Sequence, residues 1–487
     1  MKRWLLVCAC WWLLGACQTQ AEVTVSRELD SNGTTQVFKL SISPAPEPQP
    51  ALRYRFSVLP HETIPGNAAT HYLRSYGESS LDGPWQFVQD QFGMEVHRWY
   101  GQSMPMDEIP LESMRQASEA FDNYIQFYIE PATRCRYCDW GLALEDLSGS
   151  EMAAFRLPSV QQSRQIMRTL SLQTRFAVRE KRFEDAIDRI RMNYQLARNV
   201  AKVKFAVAQL VGLAGESIAN GDTLELISSE GSPNLYWALA EQSTPWIDVR
   251  DSLRWETQLV GRLLPEWDSV ETANHSPEFW NELLQRSFAE MEKRDSYGDL
   301  RNGINDPWRR LGCMLKTYPN AKARLIDSGY DPTAVEEMCV AQVLMIDLVR
   351  ECRRLADQAE RSCYVSAEAS RSLETDDLQP NAVLSLDLGQ LFASETLPAS
   401  EQVLGAERRI SSQRKVLQVI EAIRMHVADI GQMPLSLQDI RVVPVPMNPV
   451  SGREFDYQCD GETAVIELRS KELLTNINVR YEIKLKK

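Results

Sequence analysis

The feature that most constrains this chain is a long stretch, residues 157–264, which is almost free of proline before Pro233. Its apolar residues recur every three or four positions, as they do along the buried face of an amphipathic helix. The pattern is clearest in one set of residues: Phe183, Ala186, Ile187, Ile190, Tyr194, Leu196 and Ala197. Residues 166–177 carry a matching stripe, and a short polar link at 179–182 joins the two. The stretch therefore predicts packed helices that include an antiparallel helical hairpin.

Segments with the two-residue period of β-strands flank this helical region. Residues 23–29 and 36–42 alternate around an Asn32-Gly33 pair, which predicts a β-hairpin. Near the other end, a helical pattern over 407–430 precedes strand-like segments that predict a small antiparallel sheet. The fold is therefore expected to be mainly α and α+β overall. It would consist of packed helical hairpins, similar in part to tetratricopeptide units, with a small C-terminal helix-plus-sheet unit.

A chain of 487 residues is long for one hydrophobic core, so two or three structural units are expected. The predicted divisions are a signal peptide at 1–16, an anchor, hairpin and proline-rich linker at 17–50, a helical body at 51–364, a linker at 365–402 and a pseudopilin-like unit at 403–487. Within the body, the patterns predict a strand at 52–59 and helices at 67–76, 111–129, 205–227 and 331–362.

The first residues address the chain to the cell envelope. Lys2 and Arg3 precede an apolar run that is too short to span a bilayer, as in a signal peptide. The run ends in Leu14-Gly-Ala-Cys17, which resembles a bacterial lipobox, whose cysteine becomes the first residue and carries acyl chains such as palmitate. Simple secretion, with cleavage after residues 19–21, is the alternative. Cys17 is thus the expected lipidation site. The body is expected outside the cytoplasm, bound to a membrane through this lipid.

The charge of the chain bears on its partners. Lys and Arg total 53 and Asp and Glu total 67, which gives a net charge of -14. Such a chain repels phosphate backbones, so nucleic acid is not expected as a partner.

Seven cysteines follow residue 17, so at least one of them lacks a disulfide partner. Cys135 and Cys138 form a C-x-x-C motif, which is compatible with a redox pair, half of a zinc site or a local disulfide. No second C-x-x-C motif and no βαβ pattern accompany it. In an oxidising compartment this favours a structural disulfide or plain thiols. No metal or cofactor is therefore expected.

Short catalytic motifs are missing from the sequence. G-x-S-x-G, H-E-x-x-H and the phosphate-binding glycine motifs do not occur, and the five histidines are spread along the chain. No catalytic residue is assigned. The expected function is non-enzymatic binding or scaffolding of an envelope protein. The alternative is an envelope hydrolase that uses carboxylates from residues 248–256 or near Asp139.

Several segments together resemble a large family of exported helical proteins from planctomycete bacteria. They are Gly66-Asn-Ala-Ala69, Cys138-Asp-Trp-Gly141, the central helices, Pro233-Asn-Leu-Tyr-Trp-Ala-Leu239 and Tyr318-Pro-Asn-Ala-Lys322. The resemblance runs from about residue 52 to the C-terminus. It implies an exported protein but brings no activity.

The last unit also resembles the soluble domain of the type II secretion major pseudopilin. The matching residues are Gln432-Met-Pro-Leu-Ser-Leu437 and Pro446-Met-Asn-Pro-Val-Ser-Gly-Arg-Glu-Phe-Asp-Tyr457. This chain has Asn448 where that family usually carries Asp, which argues against ion binding there. The amphipathic pattern and four arginines of 407–430 argue against the apolar membrane helix that pilus assembly requires.

Overall fold

The computed structural model describes residues 25–77, 82–100, 104–144, 159–262, 264–272, 275–294, 307–365, 387–390, 392, 400–473 and 477–486. The predicted signal peptide, Cys17 and most of the predicted linker at 365–402 lie outside these residues. The described chain is mainly helical with one small mixed sheet, which confirms the predicted fold class.

The elements of the N-terminal third are short. The strands are β1 (Val25–Leu29), β2 (Thr35–Ile42), β3 (Ile64–Asn67) and β4 (Cys135–Tyr137). The helices are α1 (Ala68–Gly77), α2 (Asp82–Phe92), α3 (Leu111–Glu119), α4 (Asp122–Tyr124) and α5 (Glu130–Arg134), with 3-10 turns at Gly93–Arg98 and Met106–Glu108 and a π-helix at Ile125–Ile129. The helix predicted over 111–129 is thus broken into shorter pieces, and the strand predicted at 52–59 is wrong because that segment is irregular.

Longer helices follow. They are α6 (Ser159–Arg179), α7 (Phe183–Val200), α8 (Ala206–Ile227), α9 (Tyr236–Ala240), α10 (Arg250–Arg262), α11 (Pro277–Arg294), α12 (Pro307–Asp327), α13 (Pro332–Glu337) and α14 (Val340–Ser362), with a 3-10 turn at Pro265–Ser269. The single helix predicted over 331–362 is wrong because Cys339 has extended backbone angles and caps α14. Apolar residues repeat at helical spacing across this break, so periodicity does not reveal it.

The C-terminal part contains one long helix and the rest of the sheet. Its elements are α15 (Ser400–Ile430), a 3-10 turn at Leu437–Asp439, β5 (Asp456–Cys459), β6 (Thr463–Leu468), α16 (Ser470–Leu473) and β7 (Asn478–Leu485). Within the described ranges, no helix is both long and apolar enough to cross a membrane.

The described residues group into two compact units. The larger unit takes those of Ala16–Gly141, Leu157–Val249 and Glu401–Lys487, and the smaller unit is built mainly from Arg250–Ser400. These units differ from the predicted divisions, in which residues 17–50, the helical body and the C-terminal unit were separate. The reason is the sheet of the larger unit, whose strand order is β1-β2-β7-β6-β5.

The sheet joins the two ends of the described chain. β1 and β2 form the predicted antiparallel hairpin, with Val25 opposite Leu40. β2 then pairs in parallel with β7, from Thr35 opposite Asn478 to Ile42 opposite Leu485. The rings of Phe38 and Tyr481 stack across this pairing at 4.9 Å. The strands β5, β6 and β7 pair antiparallel as predicted, and the parallel pairing of β7 with β2 makes the whole sheet mixed.

The predicted helical hairpin is present as α6 and α7, and α8 packs against both. Its turn closes with a hydrogen bond from the Arg182 amide to the Ala177 carbonyl at 2.8 Å. Lys181 has φ +56°, the left-handed conformation that such helix ends require and that glycine usually provides. The link at 179–182 is therefore a tight turn, as its length and polarity indicated.

Three fully buried arginines distinguish the core of the larger unit. Arg175 of α6 pairs with Glu225 of α8 at 2.8 Å, and Arg424 of α15 pairs with Glu421 at 2.9 Å. Arg414 of α15 pairs with Glu216 of α8. The pattern of 407–430 predicts an amphipathic helix, but α15 is buried on nearly all sides between Ile410 and Val427. Carboxylates and backbone carbonyls accept the hydrogen bonds of Arg414 and Arg424 inside the fold.

Candidate functional site

The C-x-x-C motif lies at the end of β4, beside β3. Ile64 of β3 is opposite Cys135, and Asn67 is opposite Tyr137. Both cysteines are free thiols in the structure. The Cys135 thiol is directed at the Pro131 carbonyl at 3.4 Å, and the Cys138 thiol at the Asn199 carbonyl at 3.8 Å. The candidate disulfide is not formed in this structure, where each of the two thiols is directed at a backbone carbonyl.

The environment of these thiols does not activate them. Burial raises the pKa of Cys135, and burial raises the pKa of Cys138 to about 12. Both thiols are therefore protonated at neutral pH, whereas redox chemistry and metal binding need the thiolate. In the part of the chain that the structure describes, no group of three or more His, Cys, Asp or Glu side chains is arranged to hold a metal ion.

The first resemblance motifs meet in a structural cluster around Asn67. The Asn67 side chain donates to the Asp139 carbonyl at 2.6 Å and accepts from the Asp139 amide at 2.8 Å. The Asp139 carboxylate accepts from the Gly141 amide at 2.9 Å. Trp140 donates to the Asn199 carbonyl at 2.8 Å and stacks on Tyr72. Asp139 therefore shapes a turn here, and no other carboxylate joins it in these contacts.

The other proposed carboxylate region, residues 248–256, leads into α10. Asp251 at the start of α10 is 89% exposed, and its nearest cation is Arg254 at 3.9 Å on the same helix. Arg254 also binds Glu360 of α14 at 2.8 Å. This is the locally paired helix surface that alternating charges usually form.

The pseudopilin-like motifs also come together locally. The Tyr457 hydroxyl donates to the Pro434 carbonyl at 2.6 Å, which ties the two matching segments to each other. The Asn448 side chain is buried and accepts from the Val450 amide at 3.0 Å. Asn448 therefore stabilises its own turn.

Described residues of the larger unit line a polar groove of about 600 Å³. It runs along the turn end of the α6–α7 hairpin, with α3 and the segment from Asp122 to Glu130 forming the opposite wall. Its lining residues are Arg115, Ser118, Glu119, Asp122, Gln126, Glu130, Gln173, Phe176, Ala177, Glu180, Arg182, Asp185 and Arg189. Sequence reasoning missed this site because the residues come from separate segments and match no motif.

A network of ion pairs rigidifies the middle of the groove. Arg115 binds Glu180 at 3.0 Å, and Arg182 binds Glu180 at 3.0 Å as well as Asp185. The guanidinium groups of Arg115 and Arg182 lie 6.0 and 5.2 Å from the centre of the Phe176 ring. These charges hold one another in place before any ligand arrives.

Asp122 is the most perturbed acid in the groove lining. Although the residue as a whole is exposed, loss of water around its carboxyl raises its pKa. Glu119 adds to this rise, whereas Arg189 and Arg182 oppose it. The side chain of Gln173 donates to the Asp122 carboxylate at 2.8 Å and to the Ser118 carbonyl at 3.2 Å. Asp122 is thus fixed in position with its charge only partly compensated.

Arg189 is the cation of the groove that is not committed to an ion pair. Its guanidinium contacts the Met192 sulfur at 3.7 Å, and no carboxylate of the described residues lies within ion-pair distance of it. The groove lining contains three arginines and five acidic residues, which gives a net charge of 3 − 5 = −2. The arrangement presents both signs of charge to a ligand.

Two arginines of α6 position the groove wall from outside the groove. Arg175 donates to the carbonyls of Met104 at 2.5 Å and Trp99, and Arg179 donates to the carbonyls of Met106 at 3.0 Å and Ile109. These contacts hold the segment that leads into α3. In the sequence, these contacts could have been indicated by two arginines one helical turn apart within an apolar stripe, because such arginines need buried acceptors.

The opposite wall contains the π-helix Ile125–Ile129, whose Gln126 lines the groove. Single π-turns occur often at functional sites, because the extra residue redirects the side chains around it. The break in the helix predicted over 111–129 lies before this π-helix, in the turn at Ala120 and Phe121 between α3 and α4.

No protein-family model matches this chain, and neither a curated protein nor a solved structure shows significant similarity to it.

Proposed function

We propose that this chain is a lipid-anchored, non-enzymatic binding protein of the cell envelope, and that its polar groove receives a segment of an envelope protein. The sequence pattern ending in Cys17 supports the anchor. The groove supports the binding role, because its walls are helices fixed by buried arginines and not mobile loops. Preorganised polar surfaces lose little entropy when they bind.

The observation that carries the proposal is the division of charges within the groove. Arg115, Glu180, Arg182 and Asp185 satisfy one another. Asp122 accepts a hydrogen bond from Gln173 but forms no ion pair with a described residue, and Arg189 contacts only the Met192 sulfur, so both charges are available to a ligand. A partner segment with a cationic side chain near Asp122 and a carboxylate near Arg189 would complement both. Complementary charges of this kind set specificity and association rate more than overall affinity.

The test is recovery of the partner from detergent-solubilised envelope of the source cells. The native chain, Arg189→Glu and a matched control, Arg53→Glu, are compared as baits, since Arg53 is an exposed arginine of the same unit outside the groove lining. We expect one stoichiometric protein with the native chain and the control, and at least about a tenfold loss with Arg189→Glu, since reversing a charge opposite its partner costs several kcal/mol. Equal recovery with all three baits would reject the groove as the binding site.

The anchor is tested separately by mass spectrometry of the native chain and of Cys17→Ala. We expect acyl chains on residue 17 of the native chain and none on the variant. An unmodified Cys17 would overturn the lipid anchor without affecting the groove.

A hydrolase is the second candidate, and one observation favours it. Asp122 has a raised pKa and shares the groove with Glu119 and Glu130, and perturbed carboxylates in a cleft are common in acid–base catalysis. If the native chain hydrolyses envelope glycans or peptides and Asp122→Asn lowers that rate by at least about a hundredfold, catalysis replaces binding as the function.

A further inference from the structure

Helix α12 of the smaller unit carries an apolar stripe in water. Trp308, Leu311 and Leu315 are 78%, 45% and 67% exposed. Their spacing of three and four residues places them on one face of the helix. The opposite face, with Thr317, Ala321 and Leu325, is buried. The helix therefore has two apolar faces, and only one of them is used in the core.

The same helix is basic in an acidic chain. It contains Arg309, Arg310, Lys316, Lys322, Arg324 and one acid, Asp327, for a net charge of 5 − 1 = +4, whereas the whole chain carries -14. In its C-terminal half, Lys322 binds Glu336, and Arg324 binds Asp347 and Asp387. The other three basic residues fall between 309 and 316, and among them the Arg310 guanidinium lies 5.3 Å from the centre of the Phe288 ring. The basic and exposed apolar residues are thus concentrated in the same half of the helix.

We propose that this face of α12, defined by Trp308, Leu311 and Leu315, docks on an anionic lipid surface. Large apolar side chains in a row on the surface of a water-soluble unit mark an interaction site. A tryptophan among leucines with adjacent Lys and Arg is the composition of helices that lie in the membrane interface. The basic residues select anionic headgroups over a neutral surface. This contact is additional to the lipid on Cys17 and does not depend on it.

The charge argues for a lipid surface over a second copy of the chain. Two copies meeting through this face would bring two basic helix halves together, and like charges at close range oppose association. Anionic headgroups instead neutralise those charges while the tryptophan and leucine side chains enter the interfacial layer.

The test measures cosedimentation of the full chain with vesicles, using Cys17→Ala so that the acyl chains play no part. Vesicles of phosphatidylglycerol mixed with phosphatidylcholine are compared with phosphatidylcholine alone. We expect binding to the mixed vesicles, and at least about tenfold weaker binding when Trp308→Ser and Leu315→Ser are combined. The matched control combines Phe87→Ser with Phe127→Ser, two side chains of the larger unit that are 51% and 66% exposed. This control should bind like the parent.

A second variant tests the charge. Arg309→Gln combined with Lys316→Gln should weaken binding to the mixed vesicles at least about tenfold, and added salt should weaken the binding of the parent. Trp308, Leu315, Lys316, Phe87 and Phe127 are exposed, so changes at these positions should leave the thermal unfolding midpoint at that of the parent.

The proposal is overturned if the parent does not bind the mixed vesicles, or if the Trp308→Ser and Leu315→Ser variant binds as well as the parent. It is also overturned if sedimentation equilibrium shows that the parent self-associates and this variant does not, because the face would then join two copies. None of these outcomes bears on the acyl chains at Cys17 or on the groove, which have separate tests.

Discussion

The larger and the smaller unit both bury long helices, but they fill their cores with different chemistry. The core of the smaller unit is apolar and aromatic, with Trp267, Trp280, Phe288 and Leu344 among its members. The core of the larger unit contains the three buried arginine–carboxylate pairs together with Asp222 and Asn220 of α8. Apolar packing supplies stability without a preferred geometry, whereas buried charges are tolerated in one arrangement only. We infer that the charges specify how α6, α8 and α15 align.

The largest effect is expected from leaving one buried charge alone. Arg414→Met removes the partner of Glu216 and the donor to the Ser243 carbonyl. We expect the free energy of unfolding to fall by about 3–5 kcal/mol, since an uncompensated buried charge is strongly destabilising. Urea unfolding, followed by tryptophan fluorescence, measures this.

The same pair tests whether apolar residues can replace a buried ion pair of the larger unit. Replacing both partners, with Arg414→Met and Glu216→Leu together, should recover most of the loss, because apolar residues can substitute for a buried ion pair. If the double variant is as unstable as the single variant, the geometry of α15 depends on more than this pair.

The smaller unit should respond to lost volume instead. Leu344 of α14 is fully buried in the apolar core, so Leu344→Ala should lower the free energy of unfolding by about 2–5 kcal/mol. The exposed Leu315→Ala is the matched control, and its unfolding curve should overlay that of the native chain. A small effect at Leu344 would mean that this core is loosely packed.

A pH dependence is expected from Asp222 in the polar core. Burial raises the pKa of Asp222 to about 8, Glu225 adds to the rise, and Ser171 and Arg175 oppose it. The folded state therefore holds a proton that the unfolded chain releases near pH 4, so stability declines as the pH rises from 4 to 8. One unit of pKa difference corresponds to about 1.4 kcal/mol.

Asp222→Asn should remove most of this decline. Summed from pH 4 to pH 8, the difference in the free energy of unfolding should amount to a few kcal/mol. Urea unfolding of both chains at pH 5 and pH 8 provides the difference. Parallel declines in the native chain and the variant would place the titrating group elsewhere.

The smallest effect should come from an exposed ion pair of the same larger unit. Lys39 of β2 contacts Glu28 of β1 at 2.6 Å, and the two side chains are 49% and 38% exposed. Lys39→Gln should change the free energy of unfolding by less than about 1 kcal/mol, because water and salt screen such pairs. A loss as large as that of Arg414→Met would remove the distinction between exposed and buried pairs.

The sequence predicted secondary-structure elements correctly where a single local pattern, such as apolar periodicity or a turn motif, determines them. The α6–α7 hairpin, α8 and the β1–β2 hairpin follow from periodicity and turn residues close to each other in the chain. The helix break at Cys339 could not be predicted, because the apolar residues keep their helical spacing across it. The burial of Arg414 and Arg424 could not be predicted, because a charged side chain is expected to be exposed to solvent unless its buried partner is known.

The groove could not be predicted from the sequence for a different reason. Its walls come from α3, the π-helix and the turn end of the α6–α7 hairpin, and no local sequence pattern connects these segments. The pairing of β2 with β7 is equally remote, since alternation identifies both strands but not which strand lies beside which.

The pairing of β2 with β7 also sets an order of events during synthesis. Residues 35–42 emerge early, yet their neighbour in the sheet, residues 478–485, is among the last to be made. The smaller unit is almost contiguous in sequence and can collapse while the chain is still emerging. The first hairpin must meanwhile keep one edge unpaired. Such an edge can recruit strands from other chains. A chain that stops before residue 478 would expose that edge permanently, so incomplete copies should aggregate where complete ones do not.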